Sequence, residues 1–260
     1  MKRFWFERKT DQREFPLLDT KLDQWRLWAL LLFVSIGTVI WVAFAAAMNF
    51  KSFLATTVFD DMIPAIIMIG GVLYLSQGHL LRLFGKPRWS DFGFGAIMFI
   101  LQLIYAYVAA TVIPKLGGSL GENGAATQIG KSSNKLMAYF QSIFSDLFDL
   151  MNEELLSIVI FLTIAALLIQ YYHLNRRAGL GIAMLASMFI FGMLHFQTYN
   201  WNLVQMLAII AIERFFPQCN LHPQQDHLAI LRSSHGLRWI GVFGGNVLFA
   251  GSLKLIDFNY

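Results

Sequence analysis

Residues 27–47 read LWALLLFVSIGTVIWVAFAAA, with no charged residue from Leu27 to Ala47. A helix needs roughly 20 mostly apolar residues to cross the hydrocarbon of a bilayer. This stretch has that length, so it predicts a first spanning helix and places the chain in a membrane. The rest of the sequence agrees. The chain has 260 residues, 57% hydrophobic and 14% charged, whereas an ordinary soluble domain carries about a quarter charged residues. A disordered, fibrous or typical cytosolic protein is excluded on that ground. The net charge is +4. Its basic residues lie between apolar runs, where membrane topology explains them, so nucleic acid is not an expected partner. With a single cysteine, Cys219, the chain has neither an internal disulfide nor a cysteine-rich metal site.

Working outward, further spans are expected at Met62–Leu81, entered through Asp60 and Asp61, and at Phe92–Pro114. The run 115–135 is rich in Gly, Ser and Asn and reads as a loop. Leu136–Leu150 alternates apolar and acidic residues at helical spacing. It predicts an amphipathic helix leading to a fourth span at Glu153–Tyr172, with a break before Glu153 that would admit water. A fifth span is read at Ala178–Leu194, a short sixth at Asn202–Ile212 and a weak seventh at Trp239–Leu253. The expected fold class is therefore all-α, a polytopic transmembrane helix bundle of about 7 (6–8) spans.

Five regions follow: a cytoplasmic N-terminal tail at 1–26, three spans over 27–114, a polar loop and amphipathic helix at 115–150, core spans at 151–212, and a C-terminal region at 213–260. The tail is too polar for too long to be a cleavable signal peptide. Basic residues concentrate in the tail, in the loop with Arg82, Lys86 and Arg88, and in the loop with Arg176 and Arg177. The positive-inside rule puts these segments on the cytoplasmic side.

Ionisable groups beside apolar spans are costly and mark function. Three places stand out: Glu153–Glu154 in MNEELLSIVIFL, His195 in FIFGMLHFQTYNWN, and His235 in SSHGLRWIGVF. Each has a plainer reading. Acidic residues at a helix start complement its dipole, and a histidine at an interface is commonly hydrogen-bonded and inert. Adjacent carboxylates point about 100° apart on a helix, so one faces a site while the other pairs elsewhere. Phe191 stands one turn before His195, where its ring stacks beside the imidazole. The fourth span begins on the side where the fifth ends, which brings the glutamates and His195 to one end of antiparallel neighbours.

The pair Glu153–Glu154 opening one membrane helix, followed by Phe191-Gly-Met-Leu-His195 closing the next, resembles the CAAX-protease and bacteriocin-processing (CPBP, or Abi) family of intramembrane proteases. The stretch FGMLHFQTYNWNLVQMLAIIAI is similar to members from lactic-acid bacteria, some of them implicated in bacteriocin self-immunity. The family pattern is EExxxR, then FxxxH, then HxxxN or HxxxD. Here Ile158 stands where the wider family has Arg, and Trp239 stands where Asn or Asp is expected after His235. His222 and His227 are fallback candidates for the third motif.

The resemblance implies hydrolysis of a peptide bond in a membrane-associated peptide or protein, in a bacterial cell membrane. Glu153 or Glu154 would activate water. Glu154, His195 and His235 would hold a divalent metal, zinc above others, since catalytic zinc keeps three protein ligands and one open position. The absence of the motif's last polar group at Trp239 would cost roughly 100- to 1,000-fold in rate. A second expectation is a membrane protein of the same fold that acts by binding, such as a bacteriocin-immunity factor. A transporter or channel ranks below both, because the first and third spans carry almost no polar residues.

Overall fold

The computed structural model describes residues 4, 14–48, 53–83, 89–121, 135–196, 199 and 201–219. Among them every regular element is helical. Five helices are long and apolar enough to cross a membrane. We label them α1 (Gln24–Met48), α2 (Phe53–Leu75), α3 (Trp89–Lys115), α4 (Lys135–Ala166, extended by a π-turn at Leu167–Tyr171) and α5 (Arg176–Leu194). A short segment, α6, begins at Leu203–Gln205 and widens into a π-turn at Met206–Ala211; α7 follows at Phe215–Cys219.

The five long helices differ in what surrounds them. In α4, 72% of the most apolar stretch is buried, against 22% in α1 and 11% in α3. From Leu156 to Leu167 α4 is apolar and buried nearly all round, which marks it as the central helix of the bundle. α1 buries one stripe, Leu27, Leu30, Val34 and Thr38, and leaves Leu32, Ile36, Val39 and Ile40 on the outside. α3 likewise exposes Ile97, Ile100, Leu101 and Ile104. In water such faces would drive aggregation; in a bilayer they meet lipid at no cost.

Several expectations need correction. The second span does not start at Met62. α2 starts at Phe53 and carries Asp60 and Asp61 within a π-turn, Thr57–Met62. Ser145 Oγ donates to the Asp61 carboxylate, whereas at Asp60 it is the backbone carbonyl that accepts, from Trp41 Nε1, and the carboxylate Oδ1 is buried without a hydrogen-bond partner. α2 ends at Leu75, short of Leu81, in a turn where Gln77 and Gly78 take left-handed φ of 54° and 76°. The break expected before Glu153 does not exist. No Gly or Pro interrupts residues 136–171, so the amphipathic segment and the fourth span form one helix. α4 therefore runs about 27 Å past Glu153 on its N-terminal side, at 1.5 Å per residue.

The sixth expected span is present only as α6, which is too short to rank among the crossing helices. The weak seventh, Trp239–Leu253, lies outside the described residues. Over residues 14–22 the expected tail is part of the folded body. Phe15, Leu17 and Leu22 are buried, and Gln170 Nε2 donates to the carbonyls of Leu17, Leu18 and Thr20 at 2.7, 3.2 and 3.3 Å.

The ends of α3 and α5 are set locally. After α3, Gly117 takes φ of 83°, Gly118 N donates to Ile113 O and Gly117 N to Pro114 O, both at 3.0 Å, a Schellman stop. α5 is started by Asn175, whose side chain accepts from Ala178 N at 2.9 Å. α4 and α5 pack antiparallel, with Ser187 Oγ donating to Ser157 O at 2.8 Å midway along them. At one end of this pair Arg176 grips Glu14 through Nε at 2.8 Å and Nη2 at 2.6 Å, and Arg82 pairs with Asp19 nearby in sequence to Glu14. Arg176 and Arg82 thus gather with the N-terminal segment, and His195 lies at the other end of α5, where it faces Glu153 at the middle of α4.

Candidate functional site

His195 closes α5 as its C-terminal cap, with its backbone N–H donating to Gly192 O at 3.2 Å. Its ring is held on two sides. Phe191, one turn earlier, lies 4.6 Å away between ring centroids, and Tyr199 stacks on it at 6.4 Å. Nδ1 lies 2.9 Å from Phe191 O. A carbonyl only accepts, so this contact puts a proton on Nδ1, and in that tautomer of the neutral imidazole the Nε2 lone pair lies on the opposite edge of the ring.

That edge faces α4. Nε2 lies 3.6 Å from Glu153 Oε1, and both side chains keep a minor exposure of 16% and 19%. An imidazolium would donate from Nε2 toward the carboxylate; with the neutral ring two acceptors face each other, and a water or a cation between them relieves the repulsion. The separation exceeds a direct hydrogen bond and suits a bridging group. The pair is a place built to hold a proton donor or an electrophile.

Glu154 goes elsewhere. It is buried, and its Oε1 accepts from Arg214 Nη1 at 2.7 Å. The same guanidinium donates through Nη2 to the backbone carbonyl of Glu153 at 2.8 Å and lies 4.1 Å over the Phe191 ring. The adjacent carboxylates therefore divide as helical geometry requires, Glu153 toward α5 and Glu154 toward Arg214. Arg214 was not among the residues singled out from the sequence. Its signal was the charged pair Glu213–Arg214 closing the apolar run LVQMLAIIAI, beside a membrane segment.

A buried polar layer lies one turn further along. Gln218 Nε2 donates to Ser157 Oγ at 3.0 Å and to Ser187 Oγ at 2.8 Å, so α7 is pinned to both α4 and α5. On the other side, Asn152 Nδ2 donates to Asp61 O at 3.4 Å and ties the turn before Glu153 to the π-turn of α2. The loop after α3 reaches over α6: Asn202 Nδ2 donates to Ser119 O at 2.6 Å, and Gly121 N donates to Gln205 Oε1 at 2.7 Å. α6 in turn packs directly on α5 at Gly192, where a Cβ would stand 2.6 Å from Met206 O.

Of the residues read from the sequence, Glu153 and His195 are brought together and Glu154 is placed against Arg214. His235, Trp239, His222 and His227 lie outside the described residues. The Nε2 lone pair and the Glu153 carboxylate are the donor types that bind zinc, and a backbone partner for the second ring nitrogen is the usual support of a metal-binding histidine. Among the described residues no group of three or more His, Cys, Asp or Glu side chains converges. The described donors fit a divalent cation in kind and fall one short of three. Comparison of the chain with known protein families, with curated proteins and with solved structures finds no match.

Proposed function

We propose that this chain is an intramembrane endopeptidase of the CPBP type. It would cleave a peptide bond in a membrane-associated peptide or protein by glutamate-activated water, in a bacterial cell membrane. One observation carries the reading: the Nδ1–H contact with Phe191 O turns the His195 Nε2 lone pair onto the Glu153 carboxylate at 3.6 Å. A water placed between them donates one hydrogen to each, and its oxygen lone pair is left pointing at a substrate carbonyl. Glu153 takes the proton as the water oxygen attacks, then returns it to the departing amine. His195 orients the water and, with Nδ1 fixed, keeps one tautomer throughout.

Where a divalent metal, zinc above others, is bound, the His195 Nε2 would serve as its ligand in place of accepting from water, together with a glutamate and with His235 from the C-terminal region, and the metal would polarise water or carbonyl. In this reading Glu154 is the residue drawn away, by Arg214, so Glu153 is the one offered as base and ligand. The bundle would reach about seven spans with α6 extended and Trp239–Leu253 added.

The test is peptide cleavage by the purified full chain in proteoliposomes, with a library of amphipathic peptides and mass-spectrometric detection of new termini. Wild type is expected to generate new termini, and Glu153→Gln to lose about 100- to 10,000-fold of that rate. Equal cleavage by Glu153→Gln refutes the proposal. A second reading, the same fold acting by binding as an immunity factor does, is supported by Trp239, which stands where the third motif of the family has Asn or Asp. It predicts that Glu153→Gln and His195→Ala leave protection of cells from a bacteriocin intact.

A further inference from the structure

We propose that Arg214 is the positioning residue of this site: one guanidinium sets the division of labour between Glu153 and Glu154 and fixes His195 against Glu153. The inference deepens the peptidase reading and rests on it for its catalytic consequence, while its geometric content stands alone.

Arg214 is 7% exposed, and it has three partners. Nη1 holds the Glu154 carboxylate at 2.7 Å, Nη2 holds the Glu153 carbonyl at 2.8 Å, and the guanidinium plane covers Phe191 at 4.1 Å. The first two belong to α4 and the third to α5. Phe191 is also the residue whose carbonyl takes the His195 Nδ1 proton, at 2.9 Å, and whose ring packs on the imidazole at 4.6 Å. Each half of the Glu153–His195 pair is thus one residue or one contact away from the same side chain.

The chemistry requires arginine. Two neighbouring carboxylates in a partly dry site repel, and one of them is driven to protonate or to turn away. A buried counterion on Glu154 removes that conflict. Lysine would supply the charge, but as a point donor it cannot hold a carboxylate, donate in plane to a second oxygen and stack on a ring at once. The support for Arg214 is itself built in. Gln218 N donates to Arg214 O at 3.3 Å, and its side chain bridges Ser157 and Ser187. The segment before Arg214 presses on Gly192 at a separation that admits no side chain.

The test uses the full chain in lipid nanodiscs, with Cys219→Ser removing the native thiol. Glu153→Cys and His195→Cys are introduced together, and a short bis-methanethiosulfonate reagent reports how closely the two positions face each other. Arg214→Lys, and the charge-neutral pair Arg214→Gln with Glu154→Gln, are compared with Glu154→Gln alone. The paired variant leaves no lone buried charge, so loss of fold does not mask the answer.

Glu154→Gln, whose amide oxygen still accepts from Arg214, is expected to keep the parent cross-linking yield. Both Arg214 variants are expected to fall to the yield of a non-facing cysteine pair. On the otherwise native chain, Arg214→Lys is expected to lower kcat for peptide cleavage about a hundredfold with KM unchanged, as for a displacement of about 1 Å. Parent-level cross-linking in both Arg214 variants overturns the inference. If wild type cleaves no peptide while cross-linking depends on Arg214 as stated, the positioning role stands and the peptidase reading fails.

Discussion

Gly192→Ala is expected to destabilise the bundle at the site. A Cβ on Gly192 would stand 2.6 Å from Met206 O, 2.8 Å from Ala211 Cβ and 3.5 Å from Ala211 Cα. Carbon atoms rest best at roughly 3.5–4.0 Å, so the overlap with Ala211 is about 1 Å. Neither close atom ends a flexible side chain. One is a carbonyl and the other a methyl fixed to its backbone, so α5 and α6 have to part. Overpacking of this kind costs about 1–3 kcal/mol. Gly192 lies in the last turn of α5, where replacing glycine by alanine returns no more than roughly 0.5 kcal/mol, the low end of the helix-interior value. The net loss is about 0.5–3 kcal/mol, or roughly 2- to 150-fold in the ratio of folded to unfolded protein.

Gly37→Ala is the control, because a Cβ on Gly37 meets nothing within 4 Å. It is expected to match or slightly exceed wild type. The assay is reversible unfolding by sodium dodecyl sulfate in mixed micelles, followed by tryptophan fluorescence. A Gly192→Ala protein as stable as Gly37→Ala would refute the packing argument and, with it, the account of how Arg214 is brought to α4.

Asn175→Ala removes the side-chain cap on Ala178 N and is expected to cost about 1 kcal/mol in the same unfolding assay. Gln170→Leu leaves the carbonyls of Leu17, Leu18 and Thr20 without that donor and is expected to cost about 1–3 kcal/mol. It should also open residues 14–22 to limited proteolysis. Cys219 is fully buried in the helix bundle. Cys219 is therefore expected to resist maleimide in the folded protein between about pH 7 and 9 and to label fully after denaturation.

Hydropathy made α1, α3 and α5 legible because their partners are lipid and one another, and a run of apolar residues says as much. α2 was misread at its start because Asp60 and Asp61 look like a boundary. Ser145, which holds the Asp61 carboxylate, and Trp41, which holds the Asp60 backbone carbonyl, stand far off in the chain, and only the folded bundle brings them in. α4 was divided at Glu153 because its acids interrupt the apolar pattern, although nothing in the backbone chemistry of 136–171 breaks a helix.

The meeting of Glu153 with His195 was legible, since α5 turns back along α4 after a short turn and its end reaches about as far from that turn as Glu153 does, although Glu153 stands within α4 and not at its start. Which glutamate faces His195 was not. That choice is made by Arg214, whose contact with Glu154 spans 60 residues of sequence. The third motif, with His235, lies outside the described residues.

A double-mutant cycle on Glu153 and His195 tests the central claim most directly, without a substrate. Glu153→Gln, His195→Gln and the double variant are compared with wild type by the same micellar unfolding. Side chains in contact couple by about 0.5–3 kcal/mol, and a coupling in that range is the expected result. Single-variant effects that add to within about 0.3 kcal/mol would contradict it, because independent side chains behave in that way.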